Sequence, residues 1–224
     1  MAQPRKLDSK IGLRVIDKIM FHVEHLPSEI IQKLKLYEQT LLKWQKAINL
    51  VSRGTLNDVW HRHIEDSIQV LPLISGAKIL DVGSGGGFPG MVLAILGSDK
   101  ELVKLATGLY CNLDVTCVDS DSRKVLFLEE VARLTKTKVS ALNKRVEDVE
   151  GNYDVVTARG FAELKILLDV TMSKAKCGVF LKGANLNKEI EVASERFDFS
   201  YEIIQSSTDK MGQIIVVKDI HRKK

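Results

Sequence analysis

The chain has little of what marks a secreted, metal-caged or membrane-spanning protein. Its 224 residues include three cysteines, and Cys111, Cys117 and Cys177 form neither a C-x-x-C pair nor an even set. That usage argues against a disulfide framework and against a thiolate metal cage, so no metal is expected and a reduced, cytoplasmic setting is. Long apolar runs are missing as well. Stretches such as Met91 to Leu96 are far too short to cross a bilayer, and the charged beginning lacks a signal peptide's hydrophobic region. A soluble protein without a membrane partner is expected. Neither sign of charge dominates: the net charge of +4 is compatible with a polyanion partner without requiring one. There is no internal repeat and no low-complexity segment. This length fits one α/β domain with an appendage and leaves no room for two full domains.

Residues 78 to 90 carry the most information. Ile79, Leu80 and Val82 supply a buried strand, Asp81 stands near its end, and Gly83, Gly85, Gly86 and Gly87 then let the backbone turn sharply and approach a ligand closely. Gly85 to Gly90 matches the dinucleotide pattern G-x-G-x-x-G, but such literal matches are weak. The frame that follows the strand directly begins at Gly83, and from there Phe88 occupies the third glycine's position, where a ring hinders the close helix packing of a pyrophosphate site. Asp81 also suits a cationic ligand. S-adenosylmethionine carries an ammonium and a sulfonium and no phosphate, so a methyl donor is favoured over a dinucleotide. An NAD(P)-dependent oxidoreductase remains the alternative enzyme, and a non-catalytic RNA-binding or assembly protein the alternative outside enzymology.

Around this turn the pattern is α/β. Residues 1–27 form an extension in which Ile11, Val15, Ile16 and Ile19 have roughly helical spacing. From Ser28, a plausible N-cap, apolar residues keep helical spacing to Val51, and a second helical stretch covers Thr55 to Ile74; residues 28–75 together form a helical cap. Residues 76–224 alternate short strands (78–82, 113–118, 138–142, 153–157, 178–181) with helices, the signature of a parallel sheet. The connection 97–112 is long and irregular, and Leu102, Val103, Leu105 and Ala106 within it can extend a helix. The ending, 201–205 and 213–217, reads as an antiparallel hairpin.

In such a sheet ligands bind beyond the carboxyl ends of the strands. Asp119 closes the second strand, where it can accept from both ribose hydroxyls or cap the next helix. After the third strand, Val146 and Glu147 fall where an adenine face and amino group would lie. Arg123 and Lys124 sit in a first helical turn, where the helix dipole disfavours cations, and are candidates for RNA phosphates. Arg159 ends the fourth strand and can anchor a phosphate or a cofactor carboxylate. Neither the Asn/Asp-Pro-Pro-aromatic of amine methylators nor a Pro-Cys nucleophile is present there. A ring nitrogen with its own lone pair, such as guanine N7, needs neither. His61 and His63 lie two apart on a predicted helix and point away from each other, so with Asp66 they do not make a metal site. Trp44 and Trp60 read as packing residues.

Several segments, in order, resemble the ribosomal RNA small subunit methyltransferase G family (RsmG or GidB). They are Leu42 to Leu50, His63-Ile64-Glu65-Asp66-Ser67, Val82 to Gly90, Asp119-Ser120 with Arg123 to Leu128, Arg145-Val146-Glu147, Ala158-Arg159-Gly160-Phe161 and Leu181-Lys182-Gly183. The resemblance runs from about Tyr37 to Lys218. It implies a class I methyltransferase, Rossmann-like fold, with a mostly parallel seven-stranded sheet ending in the hairpin. It also implies S-adenosylmethionine-dependent methylation of guanine N7 in 16S rRNA; the expected partner is that RNA or the 30S particle, and the expected form a monomer. By motif match the cofactor residues are Gly83, Phe88, Val146, Glu147 and Arg159, to which the residue reading adds Gly85 and Asp119. Lys182 joins Arg123 and Lys124 as an RNA candidate, and no catalytic residue is assigned. The connection 97–112 is longer than the family's usual one, and Gly160 stands where alanine is common.

Overall fold

The computed structural model describes residues 4–6 and 26–223. The helical spacing of Ile11 to Ile19 lies outside the described residues. One mixed sheet organises the rest: β1 (Arg5–Lys6), β2 (Lys78–Val82), β3 (Asp114–Asp119), β4 (Ser140–Asn143), β5 (Val155–Arg159), β6 (Cys177–Lys182), β7 (Phe197–Gln205) and β8 (Gln213–Arg222). They run in the order β1-β7-β8-β6-β5-β2-β3-β4. The seven expected strands are all there. The eighth is β1, which pairs parallel to β7 and adds an edge that the sequence did not predict. β2 to β6 pair in parallel, and β8 lies antiparallel between β6 and β7 as the expected hairpin.

Period-two alternation explains how both faces are covered. Ile79, Val115, Cys117, Val155 and Val179 point into one apolar cluster, with the cap. Leu80, Val82, Val118, Val156 and Phe180 point into the other, beneath α6 (Leu164–Lys174) and α7 (Leu186–Ser194). On the first face α1 (Ser28–Trp44) buries Ile30, Leu34, Tyr37 and Leu41 as one stripe. It packs on α5 (Ser122–Thr135) through Trp44 against Phe127, ring centroids 5.8 Å apart. Truncating such a buried leucine costs about 2–5 kcal/mol.

Three local expectations needed correction. Pro27, not Ser28, is the N-cap of α1; its carbonyl accepts from Ile31 N and the Ser28 side chain caps nothing. The helix stops at Trp44 instead of reaching Val51 because Gln45 takes over: its Oε1 accepts from Leu50 N and Val51 N and its Nε2 donates to Val51 O. The second cap helix is broken into a 3-10 turn (Arg53–Asp58), a π-helical turn (Trp60–Glu65), the short α2 (Asp66–Ile68) and a 3-10 turn at Leu71–Leu73 that contains Pro72. After α3 (Gly90–Leu96) the connection 97–112 holds an ordered helix, α4 (Lys100–Thr107). Asp99 caps it by accepting from Glu101 N and Leu102 N, and Gly108 ends it in the left-handed region.

In chain order the strands run from β2 outward to β3 and β4, then jump to β5 on the other side. The switch falls between β2 and β5, so the crevice opens at their carboxyl ends.

Candidate active site

The turn after β2 is built by close approach. Gly83 has φ +64, and a Cβ there would lie 2.0 Å from the Phe161 ring. Gly87 has φ +93, and its Cβ would meet the Tyr37 hydroxyl at 2.6 Å. Only glycine suits either position. The Tyr37 hydroxyl donates to Gly86 O, which fastens the cap to the turn. Ser84 ties it to β3, since Ser84 N donates to Val118 O and Val118 N to Ser84 Oγ. Gly85 N donates to Asp119 Oδ2 at 2.9 Å, and Asp121 N to Asp119 Oδ1.

Two clefts result. The first, about 340 Å³, is lined by Gly83, Asp119, Lys124, Val146, Glu147 and Phe161, among others. The second, about 320 Å³, is lined by Arg62, Asp66, Arg159, Lys182, Glu189 and Asp209, among others; Gly160 belongs to both walls. The first thus gathers the expected strand-end residues of β2, β3 and β4. The second lies beyond β5, β6 and the β7–β8 turn.

Asp119 keeps spare acceptor capacity after its two backbone bonds, because a carboxylate has about four lone-pair sites. The cap of α5 is Asp121, which accepts from Arg123 N. Asp81 does not serve as a cation site. It shares the face of Ile79, is fully buried, and accepts from Thr157 Oγ1 at 2.8 Å; burial raises its carboxyl to about 6. Phe88 and Gly85 are absent from the wall of the first cleft. The Phe88 ring is wedged between Tyr37 and His63, centroids 5.4 and 5.0 Å away.

Arg159 reaches the second cleft. Its Nη2 donates to Arg62 O at 2.6 Å, its Nη1 stands 3.5 Å from Asp66 Oδ2, and its guanidinium lies 5.9 Å from the Phe88 ring centre. Burial lowers its pKa and Asp66 opposes that. Asp66 is a hub: its Oδ1 accepts from Gln69, Ser206 and Thr208, joining α2 to the β7–β8 turn. His63 is held neutral, its pKa lowered to about 3 by burial and then by Arg159 and Arg62, and its Nε2 bonds Thr55 Oγ1. His61 turns to Glu65 instead. No group of three or more His, Cys, Asp or Glu side chains suited to a metal occurs among the described residues.

The basic candidates differ in their surroundings. Arg123 is exposed and gripped by Asp121 through Nε and Nη2, which explains how a cation is tolerated in that first turn. Lys124 Nζ lies 3.8 Å from Asp119 Oδ2. Lys182 is turned inward, donating to Ala162 O and paired with Glu189 at 2.6 Å. Arg62, Glu189 and Asp209 had no signal in the sequence, since their partners are distant in the chain.

A switch-point crevice with a glycine turn, a strand-end acid and an antiparallel final hairpin defines the class I, Rossmann-like methyltransferase. Solved structures share that fold: an O-methyltransferase from Bacillus cereus in complex with SAH (TM-score 0.52, 11% identity, 89% of this chain and 96% of that one). Another is the magnesium protoporphyrin IX methyltransferase of Synechocystis with bound SAM (TM-score 0.51, 12% identity, 87% and 98%). The model of the rRNA small subunit methyltransferase G family matches residues 30–215, and the chain belongs to that family. Ribosomal RNA small subunit methyltransferase G of Paramagnetospirillum magneticum is 40% identical over 200 residues, 87% of this chain and 91% of that protein. The Rickettsia typhi protein of the same name is 37% identical over 199 residues, 87% and 97%. The chain is a methyltransferase; the dinucleotide and non-catalytic alternatives fall away. No helix among the described residues is long and apolar enough to cross a membrane.

Proposed function

We propose that this chain methylates N7 of a guanine in small-subunit ribosomal RNA with S-adenosylmethionine as donor. The observation that carries the reading is the pair of adjoining clefts sharing Gly160, one with nucleoside-binding chemistry and one with paired charges. The first fits the donor: Gly83 leaves no side chain over the turn, Asp119 can accept from ribose hydroxyls, and Val146 with Glu147 offers an apolar face beside an acceptor for an amino group. Arg159, in the wall of the second cleft beside the shared Gly160, is suited to the donor's carboxylate, and Gly85 supports the site indirectly by fixing Asp119. Phe88 acts through packing against Tyr37 and His63.

When bound, S-adenosylmethionine supplies a sulfonium methyl, which the N7 lone pair accepts as the carbon–sulfur electron pair leaves with the sulfur. No proton need be removed from N7. The second cleft fits that requirement: Asp66, Glu189 and Asp209 face Arg159, Lys182 and Arg62, and the carboxylates are favourable neighbours for a ring that becomes cationic. The protein's work is alignment and electrostatics.

N7 of a paired guanine lies in the deep, narrow major groove of A-form RNA, so the base must be looped out or extruded. The cap, residues 28–75, adds the surface that presents it to the catalytic unit, 76–224. The cytoplasm is the expected location, a monomer the expected form, and naked 16S rRNA or the 30S particle the expected substrate. Radiolabelled methyl transfer to total ribosomal RNA, followed by site mapping, tests the reading. Label at one guanine N7 of the small-subunit RNA is expected; label elsewhere, or none from a folded protein that binds the donor, overturns it.

A further inference from the structure

We infer that Lys182 and Glu189 form the pocket that reads the Watson–Crick edge of the acceptor guanine, a role that rests on the functional reading above. Guanine presents one acceptor, O6, beside two donors, N1–H and the 2-amino group. A site that selects it therefore needs one donor beside one strong acceptor. Extruded bases are read on this edge.

Three ion pairs line the second cleft, and their hydrogen-bond occupancy separates them. Asp66 Oδ1 already accepts three bonds and its Oδ2 faces Arg159. Asp209 Oδ2 is taken by Arg62 and its Oδ1 by Met211 N. Glu189 differs: Lys182 Nζ and Leu164 N both go to Oε2, at 2.6 and 2.7 Å. Its Oε1 accepts nothing from the described residues. The Lys182 ammonium has three N–H groups and spends two, on Glu189 and on Ala162 O at 2.8 Å. One lysine N–H and one carboxylate oxygen are therefore left without partners among the described residues, on two side chains that both line the second cleft.

The pair is also pre-organised. The Lys182 side chain is 9% exposed, at the carboxyl end of β6, and Glu189 is fixed by the backbone of α6. O6 would take the lysine N–H, and N1–H with the 2-amino group would share Oε1. Adenine presents the reverse pattern and would meet donor with donor. With its Watson–Crick edge at this pair, the base turns its imidazole edge away from it; Gly160 is the wall shared with the first cleft.

The test uses the full chain and small-subunit rRNA in which the acceptor guanine is replaced by inosine, which keeps N7, O6 and N1–H and lacks the 2-amino group. The wild-type enzyme should lose about tenfold or more in kcat/KM on inosine RNA, the scale of a lost hydrogen bond to a charged group. In Glu189→Gln the same replacement should cost only about twofold, because the two changes remove one interaction. S-adenosylmethionine affinity, measured by calorimetry, should be unchanged in Glu189→Gln. Equal rates on guanine and inosine RNA with wild-type enzyme overturn the pocket. So does an inosine penalty that persists undiminished in Glu189→Gln. If that variant fails to fold, Lys182→Met takes its place, with reduced discrimination between guanine and adenine at the acceptor position as the expected result and undiminished discrimination as the contrary one. Wild-type enzyme that methylates no guanine N7 at all refutes the functional reading itself, a separate outcome from equal use of the two bases.

Discussion

Asp66 and Arg159, ninety-three positions apart, meet across the crevice with Arg159 Nη1 3.5 Å from Asp66 Oδ2. The acid comes from the cap and the base from the end of β5, so one ion pair joins the segment expected to present RNA to the strand that leads into Gly160, the residue shared by both clefts. Asp66→Ala strips that charge of its partner and also frees Gln69, Ser206 and Thr208. Breaking such a buried pair costs about 3–5 kcal/mol. Urea denaturation should show a loss of that order, and calorimetry a weaker S-adenosylmethionine affinity; a change below about 0.5 kcal/mol, the range of an ordinary surface substitution, would refute the hub role.

Gly83→Ala should damage the donor cleft through two separable effects. A left-handed residue with a side chain costs about 1–2 kcal/mol, and the new methyl would sit 2.0 Å from the Phe161 ring unless that ring moves. Phe161 is partly exposed and flanked by Gly160, so Gly83→Ala with Phe161→Ala should recover the steric part and retain the backbone part. Thermal stability and donor affinity of the two single variants and the double give the coupling. Additive losses would mean that the ring already yields without cost.

Acid should destabilise the fold through His63. Its folded pKa, about 3, lies below the ordinary value of 6.5, so folding favours the neutral ring. The contribution is intact above pH 6.5 and is lost as pH falls towards 3, by about 2 kcal/mol at pH 5. Asp81 works in the opposite sense: raised to about 6 from 3.8, it stabilises most below 3.8 and loses that as pH rises through 6. The net profile mixes both, so the measurable quantity is a difference. Urea stability of wild type minus His63→Gln should fall between pH 7 and pH 5; a flat difference would mean that the imidazole titrates normally.

The parts of the fold that follow local rules were legible, and those that depend on what meets across the chain were not. Apolar alternation and glycine spacing gave β2 and its turn, and two apolar runs around a polar stretch gave the hairpin. The same alternation carries a warning about Asp81. Period two puts it on the face of Ile79, and with both faces of a parallel sheet covered it must be buried. The π-helical turn at 60–65 was invisible because its apolar residues satisfy ordinary helical spacing. Val146, Glu147, Asp119 and Gly83 came out of strand-end logic and do share a cleft. The Phe88 ring does not join it, since Tyr37 and His63 claim it. Lys182 reads as an exposed cation until Glu189 is placed beside it. No spacing rule brings residues 62 and 209 together.

The two basic residues of α5 should contribute unequally to RNA binding. Arg123 is exposed, but both arms of its guanidinium already hold Asp121, whose carboxyl is lowered to about 2 by that contact. A phosphate would have to displace a partner of the same charge. Lys124 has only a loose pairing with Asp119 at 3.8 Å and lies in the wall of the first cleft, free to turn towards a phosphate at its mouth. Each phosphate that the protein neutralises adds about 0.7–0.9 to the steepness with which log K falls against log salt. Lys124→Ala should make that dependence shallower by about the share of one phosphate, and Arg123→Ala by much less. Titrations of small-subunit RNA at several salt concentrations decide it. Equal effects would mean that RNA pulls Arg123 away from its cap, and an unchanged slope in the double variant would remove α5 from the RNA surface.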